Sequence, residues 1–212
     1  MSASGGAEDV LWRLLDGQVC FDATVPLYLS ELGMASTLAG AFRDRAYIPG
    51  GVYREIDGLS RSTFPAAVTL ITPRCFARAI ELTPDELDQV FARQRRWNGE
   101  RAFDDPTEDR GEAECIQLCL RDPGRAMALC THDHKVRADP DARGIKVLNA
   151  IHVCTVFALR GMTTVEAWAA YLGLLRRGMR EVMQFPPDPR GERLFDLVVT
   201  NARARRLEAG SQ

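Results

Sequence analysis

Acidic side chains recur at four places where a short apolar run meets a turn or helix. Asp22 follows Gln18-Val19-Cys20-Phe21, and Glu55 closes Ile48-Pro49-Gly50-Gly51-Val52-Tyr53-Arg54-Glu55. Glu112 and Glu114 lie in Asp109-Arg110-Gly111-Glu112-Ala113-Glu114, and Asp133 ends Ala128-Leu129-Cys130-Thr131-His132-Asp133. Open α/β sheets bind ligands at the carboxyl ends of their strands, so acids distant in sequence can converge there in one pocket. Such a pocket suits a hard divalent cation, Mg2+ or Mn2+, which takes oxygen ligands and leaves positions open for phosphate oxygens. A cation of this kind activates water near neutral pH, and the chemistry implied is phosphodiester hydrolysis.

Each acid also has an ordinary structural role when taken alone. Asp22 could cap the helix after the first strand, Glu55 and Glu114 could be solvated helix acids, and Glu112 could complete a capping box begun by Asp109. The recurrence at junctions favours a shared pocket. Within the Glu112 helix, Ala113, Cys115, Ile116, Cys119 and Leu120 form an apolar stripe that includes the Glu112 position. This ranks Glu112 as the nearer ligand and turns Glu114 toward the polar flank, as a second or outer acid. His132 and His134 flank Asp133, but without a third nearby nitrogen or sulfur ligand they are expected in solvent. Phosphatases with an aspartyl nucleophile carry a second Asp two residues on, where this chain has Thr24. Gly50-Gly51 is too short for a dinucleotide or P-loop fingerprint, and no GxSxG elbow occurs.

The elements that must position these acids follow from pattern and punctuation. A strand at Gln18 to Phe21 leads into a helix begun near Thr24, with Pro26 tolerated in its first turn. A second strand, Ala46 to Ile48, stops at Pro49 and restarts as a helix through Val52, Ile56 and Leu59. Val68 to Ile71 reads as a third strand. Thr83-Pro84-Asp85-Glu86 is a capping box opening a helix to about Trp97, and Asn98 to Arg110 reads as a mobile polar loop. The acidic helix then spans Arg110 to Leu120, Ala126 to Cys130 is a strand, and Ile145 to Leu148 another. Helices at His152 to Leu159 and Val165 to Arg177 and a last one through Leu194 and Leu197 complete the chain, with a short helix from Asp9 to Leu15 before the first strand. This alternation predicts an α/β three-layer α/β/α sandwich with a central, mainly parallel sheet and extra terminal helices.

The ordered set Phe21-Asp22-Ala23-Thr24, Ile48-Pro49 with Val52 to Ile56, Gly111-Glu112-Ala113-Glu114 and Leu129 to Asp133 resembles the PIN-domain nucleases, closest to the group with a GEAE helix related to VapC-type toxins. The resemblance covers about Val19 to Gly161, poorly between Ser60 and Asp109. It implies Asp22, Glu55, Glu112 and Asp133 as catalytic acids, Asp22, Glu112, Glu114 and Asp133 as metal ligands, and Thr24 and Thr131 in support. It further implies Mg2+ or Mn2+ as cofactor, single-stranded RNA as substrate, and an antitoxin or a second copy of the chain as partner. A regulatory module of the same fold with little turnover is the alternative. Departures from the small toxins are the inserted segment 82–110, Pro140 after Asp133, and a C-terminal extension. The domain plan is therefore an N-terminal extension (1–17), a nuclease-like domain (18–161), and a helical extension (162–212) packed on it.

Composition sets the outer bounds. The 212 residues, 46% hydrophobic and 26% charged, suffice for one domain with a sizeable core. Of the 27 basic residues only Lys135 and Lys146 are lysine, so positive charge is guanidinium, suited to bidentate phosphate contact. The formal charge of -2 supplies no global basic field, so nucleic-acid binding would rest on local arginines such as Arg203, Arg205 and Arg206, which could equally solvate a helix end. Six cysteines without a CxxC pair suggest reduced, buried thiols. The polar, acidic start lacks the features of a signal or transit peptide, and Ala150 to Leu159 is too short to span a bilayer, so a cytoplasmic protein is expected.

Overall fold

Strand β1 (Val19–Phe21) is apolar throughout and fully buried, as a central strand covered on both faces must be. Its alternating side chains identify what covers each face. Phe21 meets Phe42 with ring centroids 5.5 Å apart, and Phe42 meets Phe157 at 6.5 Å. Cys20 points the other way, against Cys115 and Cys119. Helices α2 (Ala35–Phe42) and α8 (Ala150–Leu159) therefore cover one face, and α6 (Arg110–Arg121) covers the other.

The computed structural model describes residues 17–42, 44–71, 75–76, 79–121, 127–164 and 200–201. Five parallel strands form its sheet in the order β3-β2-β1-β4-β5, with β2 (Ala46–Pro49), β3 (Ala79–Ile80), β4 (Ala128–Cys130) and β5 (Lys146–Leu148) around β1. Pairing runs Val19 with Ala46 on one side and Val19 with Ala128 on the other. With helices on both faces, this is a three-layer α/β/α sandwich whose sheet is wholly parallel. Helices α1 (Thr24–Glu31) and α3 (Gly50–Ser60) follow β1 and β2; α4 (Pro84–Asn98) and the short α5 (Arg101–Asp104) precede α6; α7 (His134–Ala138) follows β4.

Two expectations are corrected. Val68 to Ile71 is no strand: Pro65–Thr69 is a 3-10 helix with Pro65 in its first turn, which buries Ala67 and Leu70 at threefold spacing and leaves Val68 54% exposed. The third strand is instead the two-residue β3, paired with the end of β2 at Pro49. Asn98 to Arg110 is not an open loop, because it contains α5 and is tied down by Gln94, whose Nε2 donates to Pro106 O and Glu108 O. The capping box at Thr83 and Glu86 is present in both directions and starts α4 as the sequence indicated.

Segment 82–110 is fastened into the domain rather than appended to it. Arg93, 3% exposed, donates to Ala113 O at 3.2 Å and to Asp141 at 3.0 Å, while Arg96 and Trp97 reach Asp141 and Asp139. The expected helices at Asp9 to Leu15, Val165 to Arg177 and Leu194 to Leu197 lie outside the described residues, as do Arg203, Arg205 and Arg206. All six cysteines are free and buried.

Candidate functional site

Because the chain runs from β1 to β2 on one side while β4 pairs on the other, the carboxyl ends of β1 and β4 form the switch point at which α/β folds place their ligand crevice. Asp22 is the first residue past β1 and Thr131 the first past β4. The Thr131 hydroxyl donates to Asp22 Oδ2 at 2.8 Å, and the Asp22 N–H donates to Cys130 O at 3.0 Å, so the two strand ends are locked together at the crevice. Asp22 is 2% exposed. Burial raises its pKa, opposed by hydrogen bonds from Thr131 and from the backbone N–H groups of Thr24 and Ala23. The capping role open to Asp22 is met only loosely, by the Thr24 N–H at 3.4 Å from Oδ1.

Glu112 faces this position from the first turn of α6. Burial and then the Asp22 carboxylate push its carboxyl up to about 9, opposed by its own backbone N–H, with Asp133 and Glu55 adding less. Glu55, on α3, stands at the rim. It is exposed on its outer side, yet burial of its inner side and the Asp22 charge raise its pKa to about 7. A Cβ at Gly111 would sit 3.2 Å from Glu55 Oε2, so glycine there lets the Glu55 carboxylate lie against the start of α6. Asp133 caps α7 through the Lys135 N–H, and its own N–H donates to Thr131 Oγ1 at 3.0 Å. Thus Asp22, Glu55, Glu112 and Asp133 are electrostatic neighbours, with Thr131 bonded to both Asp22 and Asp133 and Thr24 to Asp22.

Glu114 is not on a polar flank. It is 1% exposed, and both its oxygens are engaged: Oε2 accepts from the Gly51 N–H at 2.8 Å, and Oε1 accepts from Arg110 Nε at 2.8 Å. No side chain caps α3 from its own N-cap, Pro49, so Glu114 supplies that acceptor from the neighbouring helix. A Cβ at Gly51 would run into the Glu114 carboxylate. Counting only the apolar residues of α6 hid this, because the partner comes from another element. The visible signal was Gly50-Gly51 after a strand, which marks close backbone approach.

Two further features escaped the sequence reading. His132 is 2% exposed rather than solvated, because it directly follows β4 and turns into the protein; burial lowers its pKa to about 3, so it stays neutral. Lys135 Nζ donates to the Asp109 carboxylate and, at 3.3 Å, to Asn98 Oδ1. It thereby joins α7, the end of α4 and the residue just before α6. Asp109 holds that place with φ at 55°, a left-handed conformation uncommon outside glycine.

In donor chemistry the cluster fits Mg2+ or Mn2+: Asp22, Glu112 and Asp133 offer carboxylate oxygens alone, and the raised pKa values mark charge that a cation would relieve. As they stand, no three His, Cys, Asp or Glu side chains among the described residues are grouped closely enough to hold a metal ion. The buried thiols are poor rivals for catalysis, since burial pushes Cys115 and Cys154 up to about 12. No family model, curated protein or solved structure matches the chain. No helix among the described residues is long and apolar enough to cross a membrane.

Proposed function

We propose that the chain is a metal-dependent endoribonuclease of the PIN type that hydrolyses single-stranded RNA at the crevice between β1 and β4. The observation that carries this reading is Glu112, whose carboxyl is pushed up to about 9 by burial, by Asp22 at the end of β1, and to a lesser extent by Asp133 beyond β4 and Glu55 on α3. Clustered carboxylates with perturbed pKa values in a crevice are a functional-site signature. Asp22, Glu112 and Asp133 would hold the cation, which when bound supplies Lewis acidity toward phosphate and a lowered pKa for water. Thr131 fixes the rotamer of Asp22 and, through the Asp133 N–H, the approach of the second strand end. Glu55, with a pKa near 7, is poised to take a proton from water at neutral pH. Glu114 acts by holding α3 against α6 rather than as a ligand.

The test is cleavage of a labelled pool of unstructured RNA with Mg2+ or Mn2+, with excess chelator, and with Asp22→Asn. Chelation should stop cutting, and Asp22→Asn should reduce it about a hundredfold or more while the fold persists. Full activity in chelator rejects the metal mechanism.

A second reading is favoured by the engaged state of the acids: Asp133 is occupied as a helix cap, and the described acids are not grouped at ligand distance. On that reading the fold serves as a nucleic-acid-binding or protein-binding regulatory module. RNA bound but uncut in saturating Mn2+ would select it.

A further inference from the structure

Lys135 is one of only two lysines among 27 basic residues, and it stands where three elements meet beside the acids. Its backbone N–H donates to Asp133 Oδ1, the contact that caps α7. Its Nζ reaches across to the Asp109 carboxylate and, at 3.3 Å, to Asn98 Oδ1 at the end of α4. Asn98 is buried, and its helix is anchored by Arg93 on Ala113 O and by Trp97 on Asp139. Asp109 is the residue from which α6 departs: the Ala113 N–H donates to Asp109 O at 3.1 Å and opens the helical ladder. Its φ of 55° lies in the left-handed region, where a residue other than glycine persists because its surroundings hold it there. Glu112 follows three positions on, within the first turn. One side chain thus spans from the residue that aims α6 to the helix that Asp133 caps, and the Asp133 carboxylate acts on Glu112 through space.

Carboxylates gathered in one place repel one another when ionised, so their spacing has to be imposed from outside the cluster. Outer groups that orient metal ligands are worth about ten- to a hundredfold in metal affinity. Asp22 is oriented by the Thr131 hydroxyl, whereas Glu112 and Asp133 belong to separate helix starts that Lys135 ties together. We propose that Lys135 is a positioning residue of the acidic site, a strut that sets Glu112 through Asp109 and Asp133 through its own N–H. A compact ammonium with three donors suits a junction where acceptors arrive from two elements, as a planar guanidinium fork does not. The inference rests on the cation reading of the site and adds the device that keeps two of its ligands in place. Two roles are open to Lys135, and they predict opposite signs. As a positive charge near the acids it would repel a cation, so its loss would tighten binding. As a strut, its loss weakens binding.

The full-length protein, Lys135→Met, Asp109→Asn and the double variant are titrated with Mn2+ alone, without RNA, and their amide hydrogen exchange is followed in chelator. Methionine keeps an unbranched stem without the donors, and asparagine tolerates the left-handed backbone. Lys135→Met should weaken Mn2+ binding about tenfold or more although it removes a positive charge, and should speed exchange at residues 110–113 and 135–139. The double variant should bind Mn2+ no more weakly than the weaker single variant, because both break one bridge. Mn2+ binding that tightens or stays unchanged in Lys135→Met overturns the strut, as does additive loss in the double variant or unchanged exchange at those amides. Asp109→Asn breaks the bridge from its other end, so its exchange map decides should Lys135→Met fail to fold. A wild type that binds no Mn2+ removes the cation reading. Faster exchange in Lys135→Met then still shows that the strut orders both helix starts, and unchanged exchange removes both.

Discussion

Glu112 and Glu114, two residues apart on α6, end in opposite environments, and only one of them was readable from the helix pattern. The apolar stripe placed Glu112 on the inward face at the helix start, and the neighbouring acids do crowd it there. Glu114 depends on Gly51, 63 positions earlier in the chain, an approach that no periodicity within α6 encodes. The two should respond differently to the same substitution. Glu114→Gln weakens a buried charge-assisted pair with Arg110 and the cap on α3, and should lower stability by about 1–3 kcal/mol at neutral pH. Glu112→Gln removes a carboxyl whose folded pKa is raised above its unfolded value. In the wild type that group contributes stability fully below about pH 4.5, and the contribution is lost as pH rises toward about 9. Glu112→Gln should therefore flatten the fall in stability across that interval, while Glu114→Gln shifts the whole curve down. Urea denaturation of the three proteins at several pH values checks both. Equal curves for the two variants would mean that α6 is turned differently against the crevice.

At the scale of elements, strands bounded by strong punctuation were legible and weakly apolar ones were not. β1, β2, β4 and β5 fall within a residue or two of the segments read from the sequence, because apolar runs end at Pro49 or meet a helix start. β3 has only Ala79 and Ile80, too short to give alternation, and it forms because β2 offers a parallel edge. Pattern matching instead selected Val68 to Ile71, where threefold burial reports a 3-10 turn. The inserted helix α4 was legible through its capping box, but its fastening was not, since that lies in side chains reaching other elements. Glu86 shows this: beyond the box, Arg121 at the end of α6 donates to both its oxygens at 2.6 Å, and its carboxyl is held down at about 2, first by that contact. The lowered pKa contributes stability present above about pH 4.5 and lost as pH falls toward 2. Discounted for partial exposure, Glu86→Gln should cost about 0.5–1 kcal/mol at pH 7. The cost should shrink in denaturation at pH 3. A cost that stays constant between pH 7 and pH 3 would assign it to the box geometry rather than to the ion pair.

For the whole molecule, the crevice concentrates repulsion that the remainder of the fold must restrain, and this gives the cation reading its thermodynamic form. Raised pKa values on Asp22, Glu55 and Glu112 all act in one direction, so the metal-free protein should lose stability as pH rises from about 4.5 through the Glu55 value near 7 to the Glu112 value near 9. A divalent cation that binds only the folded state opposes that loss, by RT ln(1 + [L]/Kd), about 2.7 kcal/mol at a hundredfold excess over Kd. Because protons compete for the same oxygens, the gain should be larger at pH 8 than at pH 5. Mg2+ or Mn2+ should thus raise the melting temperature with concentration, and most at high pH. Asp22→Asn relieves the charge that acts on both Glu55 and Glu112, so the metal-free variant should melt higher than wild type at pH 8 while gaining less from the cation. Arginine supplies nearly all positive charge in this chain, yet Arg110 is engaged by Glu114, and Arg93 and Arg96 by Asp139 and Asp141, rather than by Asp22. Nothing in that arrangement neutralises the Asp22–Glu112 pair from within. Thermal melts across pH with and without Mn2+ decide the matter: a wild-type response that is absent, or that Asp22→Asn reproduces in full, would show that the four acids do not act as one site.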